Sequence, residues 1–166
     1  QNKIRLGSGD GKSYSSLAKD PSVVLHELTH ILTSLVAHLP TQKEGGSINE
    51  GFCDYFAASI LNNPKMGSAS YLLAPSKRNL EDVVLFTEKN QGLYHDSLIV
   101  SSLLWELRTT LGAAVTDSLA LRTLSRLGPA TRLEEFSVAL KDGATTLDHE
   151  QQLTISNLLK ARKWPE

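Results

Sequence analysis

His26, Glu27 and His30 stand together as His26-Glu27-Leu28-Thr29-His30 within an apolar run, and Glu50 follows twenty residues after His30 in Asn49-Glu50-Gly51-Phe52-Cys53-Asp54. On an α-helix, side chains four residues apart leave the same face, so His26 and His30 can bring two imidazole nitrogens to one metal ion. Glu27 is then placed beside that ion, where a carboxylate can polarise water held there. Zinc in a hydrolytic site takes three protein ligands and keeps a fourth position open. His26, His30 and Glu50 supply that set. Asp54, one helical turn beyond Glu50, faces the same side and can hold the outer nitrogen of a ligand histidine. The chemistry this constellation can do is attack of water on a carbonyl carbon, with Glu27 taking the proton and handing it to the leaving amine. Scattered surface groups form such a pentad by chance about once in a hundred chains of this length, and the second motif makes coincidence rarer still. Cobalt or manganese could use the same ligands, but two histidines and one carboxylate beside a glutamate is most often a zinc site.

Two helices must position these groups. Asp20 as N-cap and Pro21 at the first helical position start a helix over 21–39, stopped by Pro40. The polar, glycine-containing stretch 41–47 reads as a loop. Ser47 followed by Glu50 is a capping-box pattern that opens a second helix over 48–61, with Glu50 in its first turn. Ahead of both, Lys3 to Leu17 alternates apolar and polar residues around Gly7-Ser8-Gly9-Asp10-Gly11 and predicts a short β-hairpin, the only strand-like segment. Residues 62–90, punctuated by Pro64, Gly67 and Pro75, read as loops with a short helix near Leu80 to Phe86. Apolar faces predict further helices over 96–111, 116–127 and 132–141, ended by Gly112, Gly128 and Gly143, and a last one over 149–162. The pattern is mainly α, and 166 residues make one domain the default. Its parts are a hairpin over 1–20, metal-binding helices over 21–61, loops over 62–95 and a helical bundle over 96–166.

Seventeen Lys and Arg balance eighteen Asp and Glu, and no long basic cluster exists, which argues against a nucleic-acid partner. No segment approaches the roughly twenty consecutive apolar residues needed to span a bilayer. No signal sequence is present, and a chain beginning at Gln1 reads as a processed product or a piece of something longer. Cys53, alone of its kind, reads as a small buried residue, and His38 and His149 as surface groups.

The motifs resemble those of the thermolysin-like gluzincin metallopeptidases, which carry HELTH and a GAxNExxSD-like second motif at this separation. Ser47 to Asp54 keeps the Asn, Glu and Asp of that pattern, as Asn49, Glu50 and Asp54. Gly7 to Tyr14 resembles the family's Gly-Asp-Gly-Asp-Gly strand and turn, and Asn90-Gln91-Gly92-Leu93-Tyr94-His95 resembles its Asp-Asn-Gly-Gly-Val-His segment. The resemblance implies the zincin-like helical catalytic subdomain of a gluzincin, binding one zinc ion and acting as an endopeptidase on extracytoplasmic protein or peptide, secreted or periplasmic. It makes His95 the residue that stabilises the developing oxyanion and Arg78 the holder of a substrate carbonyl. Asn49 and Asn90 become supporting residues, and Tyr14, Leu17 and Val23 line a pocket for apolar residues after the cleaved bond.

Departures from the family pattern also carry expectations. Ser22 stands where calcium-binding members place an Asp, and 61–68 offers no carboxylate, so no structural double-calcium site is expected. Thr41 replaces a tyrosine that assists the oxyanion, and Asn90 replaces the Asp that orients the catalytic histidine. The family's N-terminal sheet domain, whose edge strand pairs with substrate, would precede Gln1. The alternatives are therefore a non-catalytic zinc-binding domain derived from a peptidase, a fragment of a larger protease, or an exopeptidase; the last needs an amine-anchoring acidic motif, and none precedes the pentad.

Overall fold

Pro at the first helical position, and an Asp20 side chain that accepts from the Ser22 backbone N–H, start helix α1 at Pro21 in the computed structural model, which describes residues 3–165. α1 runs Pro21–Val36 and ends three residues short of the expected Leu39. His38 turns the chain in the left-handed region (φ 52°), and the proline at 40 disfavours helical backbone at the residue before it. His38 is exposed and lies outside the helix.

α2 spans Lys43–Leu61, so it begins five residues before the expected 48. The glycines that suggested a loop are there for close packing. A Cβ on Gly45 would lie 2.6 Å from Pro40 Cγ, and one on Gly46 would lie 2.7 Å from the Thr41 carbonyl carbon. Ser47 is accordingly no cap. Its hydroxyl faces the Lys43 carbonyl at 3.4 Å inside the helix, the N-cap is Gln42, and Glu50 sits two turns in rather than in the first turn.

α2 is the centre of the molecule. Every residue from Gly45 to Ser59 is buried, as α1 packs on one side and α3, Leu93–Leu111, on the other. α2 and α3 approach so closely at Gly51 that a Cβ there would stand 2.7 Å from Val100 Cβ. Phe52, Ile48, Ile99 and Leu103 carry the main core towards α4, Ala113–Leu124, and α5, Leu133–Gly143, where Leu119 and Phe136 complete it. α6, His149–Ala161, closes the bundle, and Arg162 just beyond it is buried with Glu106 and Ser102 as partners. Helices 3 and 4 begin three residues earlier than their sequence patterns suggest. Apolar periodicity marks the buried face of a helix and not its frayed or exposed first turn.

The regular strands lie in the stretch read as loops. β1, Lys65–Met66, pairs antiparallel with β2, Arg78–Asn79, placing Met66 opposite Arg78. Two residues are too few to show an alternating pattern. The helix expected near 80–86 is a single 3-10 turn at Phe86–Glu88. The N-terminal hairpin is a folded-back loop rather than two regular strands. Leu17 N–H donates to Gly7 O (3.0 Å), and Asp10 Oδ1 accepts from the backbone N–H groups of Lys12, Ser13 and Tyr14. Its outer side instead bridges Tyr14 to Tyr71. Ser15 N–H donates to Ser70 O at 2.8 Å, and Leu72 N–H to Ser13 O at 2.9 Å. The smaller core under these loops holds Met66, Leu80 and Trp105.

Candidate active site

α1 presents His26 and His30 from one face to α2, where Glu50 meets both. His26 Nε2 lies 3.1 Å from Glu50 Oε2, and His30 Nε2 lies 3.5 Å from Glu50 Oε1. The two rings are edge-to-face, 4.8 Å between centroids. Their other nitrogens are both occupied. His26 Nδ1 stands 2.8 Å from Asp54 Oδ1, and His30 Nδ1 stands 3.0 Å from Asn49 Oδ1. With an acceptor on each Nδ1, the neutral form of either ring carries its proton there and its lone pair on Nε2, on the Glu50 side, as ligand histidines require. This donor chemistry, two imidazoles and one carboxylate converging with their outer nitrogens held, fits zinc.

The supporting groups are themselves held. Thr33 donates to Asn49 Oδ1 at 2.7 Å, and Asn49 Nδ2 donates to the Pro40 carbonyl at 3.1 Å, which fixes the amide orientation that His30 needs. Asp54 is fully buried, and Arg78 clasps it with two hydrogen bonds, Nε to Oδ2 at 2.6 Å and a terminal nitrogen to Oδ1 at 2.7 Å. Burial alone would raise the Asp54 pKa, but the Arg78 charge and the His26 hydrogen bond outweigh it and hold the carboxyl below its ordinary range. Burial likewise opposes protonation of His26, and the Asp54 and Glu50 carboxylates overcome it, lifting His26 up to about 9.

Cys53 touches this network in a way its sequence position did not announce. Its sulfur lies 3.1 Å from His30 Nδ1, and with His26 and His30 it forms a second group of potential donors. It is fully buried, and burial, with the Glu50 and Asp54 charges nearby, pushes the thiol well above its ordinary value. A protonated thiol on the Nδ1 edge is a neighbour of the ligands and a poor ligand itself.

A cavity of about 330 Å³ opens onto the two histidines, Glu27 and Glu50. Glu27 is half-buried on its wall, with no hydrogen-bond partner among the described residues. Tyr14, Leu17, Val23 and Arg78 line the same cavity, so the structure brings these four sequence-derived candidates to one place.

The chain is similar to bacterial proteases. It is 38% identical over 58 residues to an extracellular elastase of Staphylococcus epidermidis, covering 35% of this chain and 11% of that protein. It is 42% identical over 57 residues to a bacillolysin of Brevibacillus brevis, covering 34% of this chain and 11% of that protein. Across 161 positions it is 24% identical to the neutral protease NprE of Bacillus pumilus, covering 85% of this chain and 53% of that protein. The structure superposes on the precursor of protealysin, a metalloproteinase from Serratia proteamaculans, with a TM-score of 0.82 at 16% identity, over 96% of this chain and 62% of that one.

Its relatives are thermolysin-like metallopeptidases. No protein-family model matches the chain. It spans about half the length of the neutral protease and about a tenth of the elastase and the bacillolysin. The chain shares its mainly helical fold with 62% of the protealysin precursor.

Arg78, His95 and Asn90, the other residues to which the thermolysin-like motifs give a role, have contacts of their own. Arg78, implied to hold a substrate carbonyl, has its guanidinium on Asp54 and 5.1 Å from the Tyr94 ring centre. His95 lies in the first turn of α3, half-buried, with its Nδ1 3.1 Å from Asp96 Oδ1; its neighbour Tyr94, not His95, is on the cavity wall. Asn90, in the left-handed region at φ 75°, donates to Asp96 through its backbone N–H (2.8 Å) and makes no side-chain hydrogen bond to His95 among the described residues. Asp96 is therefore the carboxylate beside His95, a residue that sequence reasoning passed over although it stands next in the chain. Ser22, at the position read for calcium, donates from its hydroxyl to Asp20 at 2.6 Å and accepts from Gly67 N–H at 2.8 Å.

Proposed function

We propose that residues 1–166 form one zinc-peptidase unit that hydrolyses peptide bonds in extracellular protein or peptide. The observation that carries this reading is the convergence of His26 Nε2 and His30 Nε2 on the Glu50 carboxylate, with Asp54 and Asn49 behind them. His26, His30 and Glu50 would hold the ion. When bound, zinc supplies a Lewis acid that acidifies water and polarises the scissile carbonyl.

The residues of the chain do the rest. Glu27, unpartnered on the cavity wall, accepts the proton from water and passes it to the leaving amine. Asp54 and Asn49 keep the two imidazoles in the ligating tautomer, and Arg78 keeps Asp54 ionised. His95, as the imidazolium with Asp96 accepting from Nδ1–H, would present Nε2–H as a donor to the developing oxyanion. Tyr14, Leu17 and Val23 give the primed side an apolar wall that excludes water from the side chain seated against it. Supporting this reading are the protease names of the relatives and an intact Glu27, which is not a ligand and makes no hydrogen bond among the described residues. The second reading, a binding domain without turnover, is favoured by the cavity lining, which includes Tyr94 but not His95, and by the partial coverage of the relatives.

Metal content and casein cleavage of the native chain and of Glu27→Ala decide between them. One equivalent of zinc in both proteins, with proteolysis only in the native one, is the expected result. Zinc in both without proteolysis in either sinks the peptidase reading for this chain, and absence of stoichiometric metal sinks both.

A further inference from the structure

We infer that Lys77 selects an acidic side chain, glutamate above all, at the primed-side position beside the cleaved bond; this rests on the peptidase reading. Val23 precedes Glu27 by one turn of α1, so the apolar part of the cavity adjoins its reactive end. Leu17, Val23 and Met66 form that apolar part, and Lys77 lies on the same wall. Its backbone is tied there by a hydrogen bond from Lys77 N–H to Met66 O at 2.8 Å. Gly67 makes room for it. A Cβ at Gly67, whose φ of +76° already disfavours a side chain, would stand 3.0 Å from Lys77 Cβ.

The Lys77 ammonium rests over two aromatic faces, 4.9 Å from the Tyr71 ring centre and 5.8 Å from that of Tyr14. Ring faces hold a cation in place without cancelling its charge. Among the described residues no carboxylate pairs with Lys77, an exposed side chain, whereas the other cation of this cavity, Arg78, is committed to Asp54. The cavity is thus apolar along its side and positive at its edge. A glutamate fits both features, its methylenes against Leu17 and Val23 and its carboxylate towards Lys77. An aspartate is one methylene shorter, and a leucine would fill the apolar part while removing water from an ammonium it cannot pair with.

Peptides identical except for Glu, Gln or Leu after the cleaved bond test this. An ion pair at an exposed site is worth up to about 1 kcal/mol, so the zinc-loaded protein is expected to cleave the Glu peptide up to about fivefold better than the Gln peptide in kcat/KM. The ratio falls towards one at about 1 M salt, is lost in Lys77→Met, and in Lys77→Glu passes to a Lys-containing peptide. The same peptides titrated against zinc-loaded Glu27→Ala report recognition without turnover. Equal handling of Glu and Gln in both assays overturns the role of Lys77 and leaves the peptidase reading standing if the Gln and Leu peptides are cleaved. A Glu preference in binding that Lys77→Met removes, with no peptide cleaved, upholds Lys77 and overturns the peptidase reading.

Discussion

Asp54 Oδ1 lies 2.8 Å from His26 Nδ1, and both Asp54 oxygens are clasped from behind by Arg78, so a residue of strand β2 is linked through one buried carboxylate to the active-site helix. The carboxylate has no solvent access and depends on this clasp. Removing one partner of a buried pair strands the other charge, so Arg78→Ala is expected to lose about 3–5 kcal/mol of stability. Denaturant unfolding of the metal-free protein measures it, and a loss under 1 kcal/mol would show that Asp54 finds other compensation.

Loss of the carboxylate itself has a different consequence. An acceptor on the outer nitrogen of a ligand histidine commonly contributes about 10–100-fold to metal affinity. Asp54→Asn is expected to weaken zinc binding by that factor, measured by competition with a chromophoric chelator, and Asn49→Ala to do the same through His30. Unchanged affinity in both would remove the histidines from the metal site.

Zinc binding should release a proton from His26. With its pKa lifted up to about 9, His26 is protonated in the metal-free protein at neutral pH, whereas a ligand imidazole must be neutral. Affinity should therefore climb with pH until about 9 and level off beyond it. The metal-free fold shows the opposite sign. A raised histidine pKa stabilises fully below the unfolded value of 6.5, and that contribution is lost as pH rises through about 9. Calorimetry in buffers of differing ionisation heat counts the proton, and a count of zero at pH 7 contradicts the assignment.

Asp20 ties the first helix to the loop over the cavity. It caps α1 through Ser22 N–H at 3.0 Å, and it accepts from Ala69 N–H at 3.0 Å and the Ser70 hydroxyl at 2.8 Å. Asp20→Ala should cost about 2 kcal/mol, since a lost cap alone costs about 1. Burial raises the Asp20 pKa, but the hydrogen bonds from Ser22, Ser70 and Ala69 prevail and lower it. A lowered carboxylate pKa stabilises above the ordinary value of 3.8, and the contribution disappears as pH falls below it. The gap in unfolding free energy between wild type and Asp20→Ala should be full at pH 6 and shrink in acid; a pH-independent gap would rule out the charged cap.

Gly51 tests the helix spacing that sets the distance from Glu50 to the histidines. Its missing Cβ would stand 2.7 Å from Val100 Cβ and 2.9 Å from the Ser97 carbonyl. Gly51→Ala should push α2 from α3 and cost about 1–3 kcal/mol, the usual range for overpacking. A gain in stability, the ordinary result of replacing glycine inside a helix, would refute this reading of the contact.

The sequence by itself determined the parts whose signal is local. The HExxH spacing places His26 and His30 on one helical face whatever the surroundings, and Asp20-Pro21 marks the helix start from its own backbone chemistry. Apolar periodicity located the last four helices. Only the tertiary structure decided what depends on partners distant in the chain. Gly45 and Gly46 read as loop residues because nothing near them in sequence reveals that Pro40 and Thr41 press against their backbone. Two-residue strands leave no periodicity, so the pairing that sets Arg78 opposite Met66, and thereby aims Arg78 at Asp54, was invisible beforehand. The contact between Cys53 and His30, the role of Asp96 beside His95 and the placement of Lys77 over Tyr14 and Tyr71 are of the same kind. A side chain's type and spacing settle what chemistry it can do. Which atom it faces is settled by packing, because burial and hydrogen-bond satisfaction are properties of the whole fold.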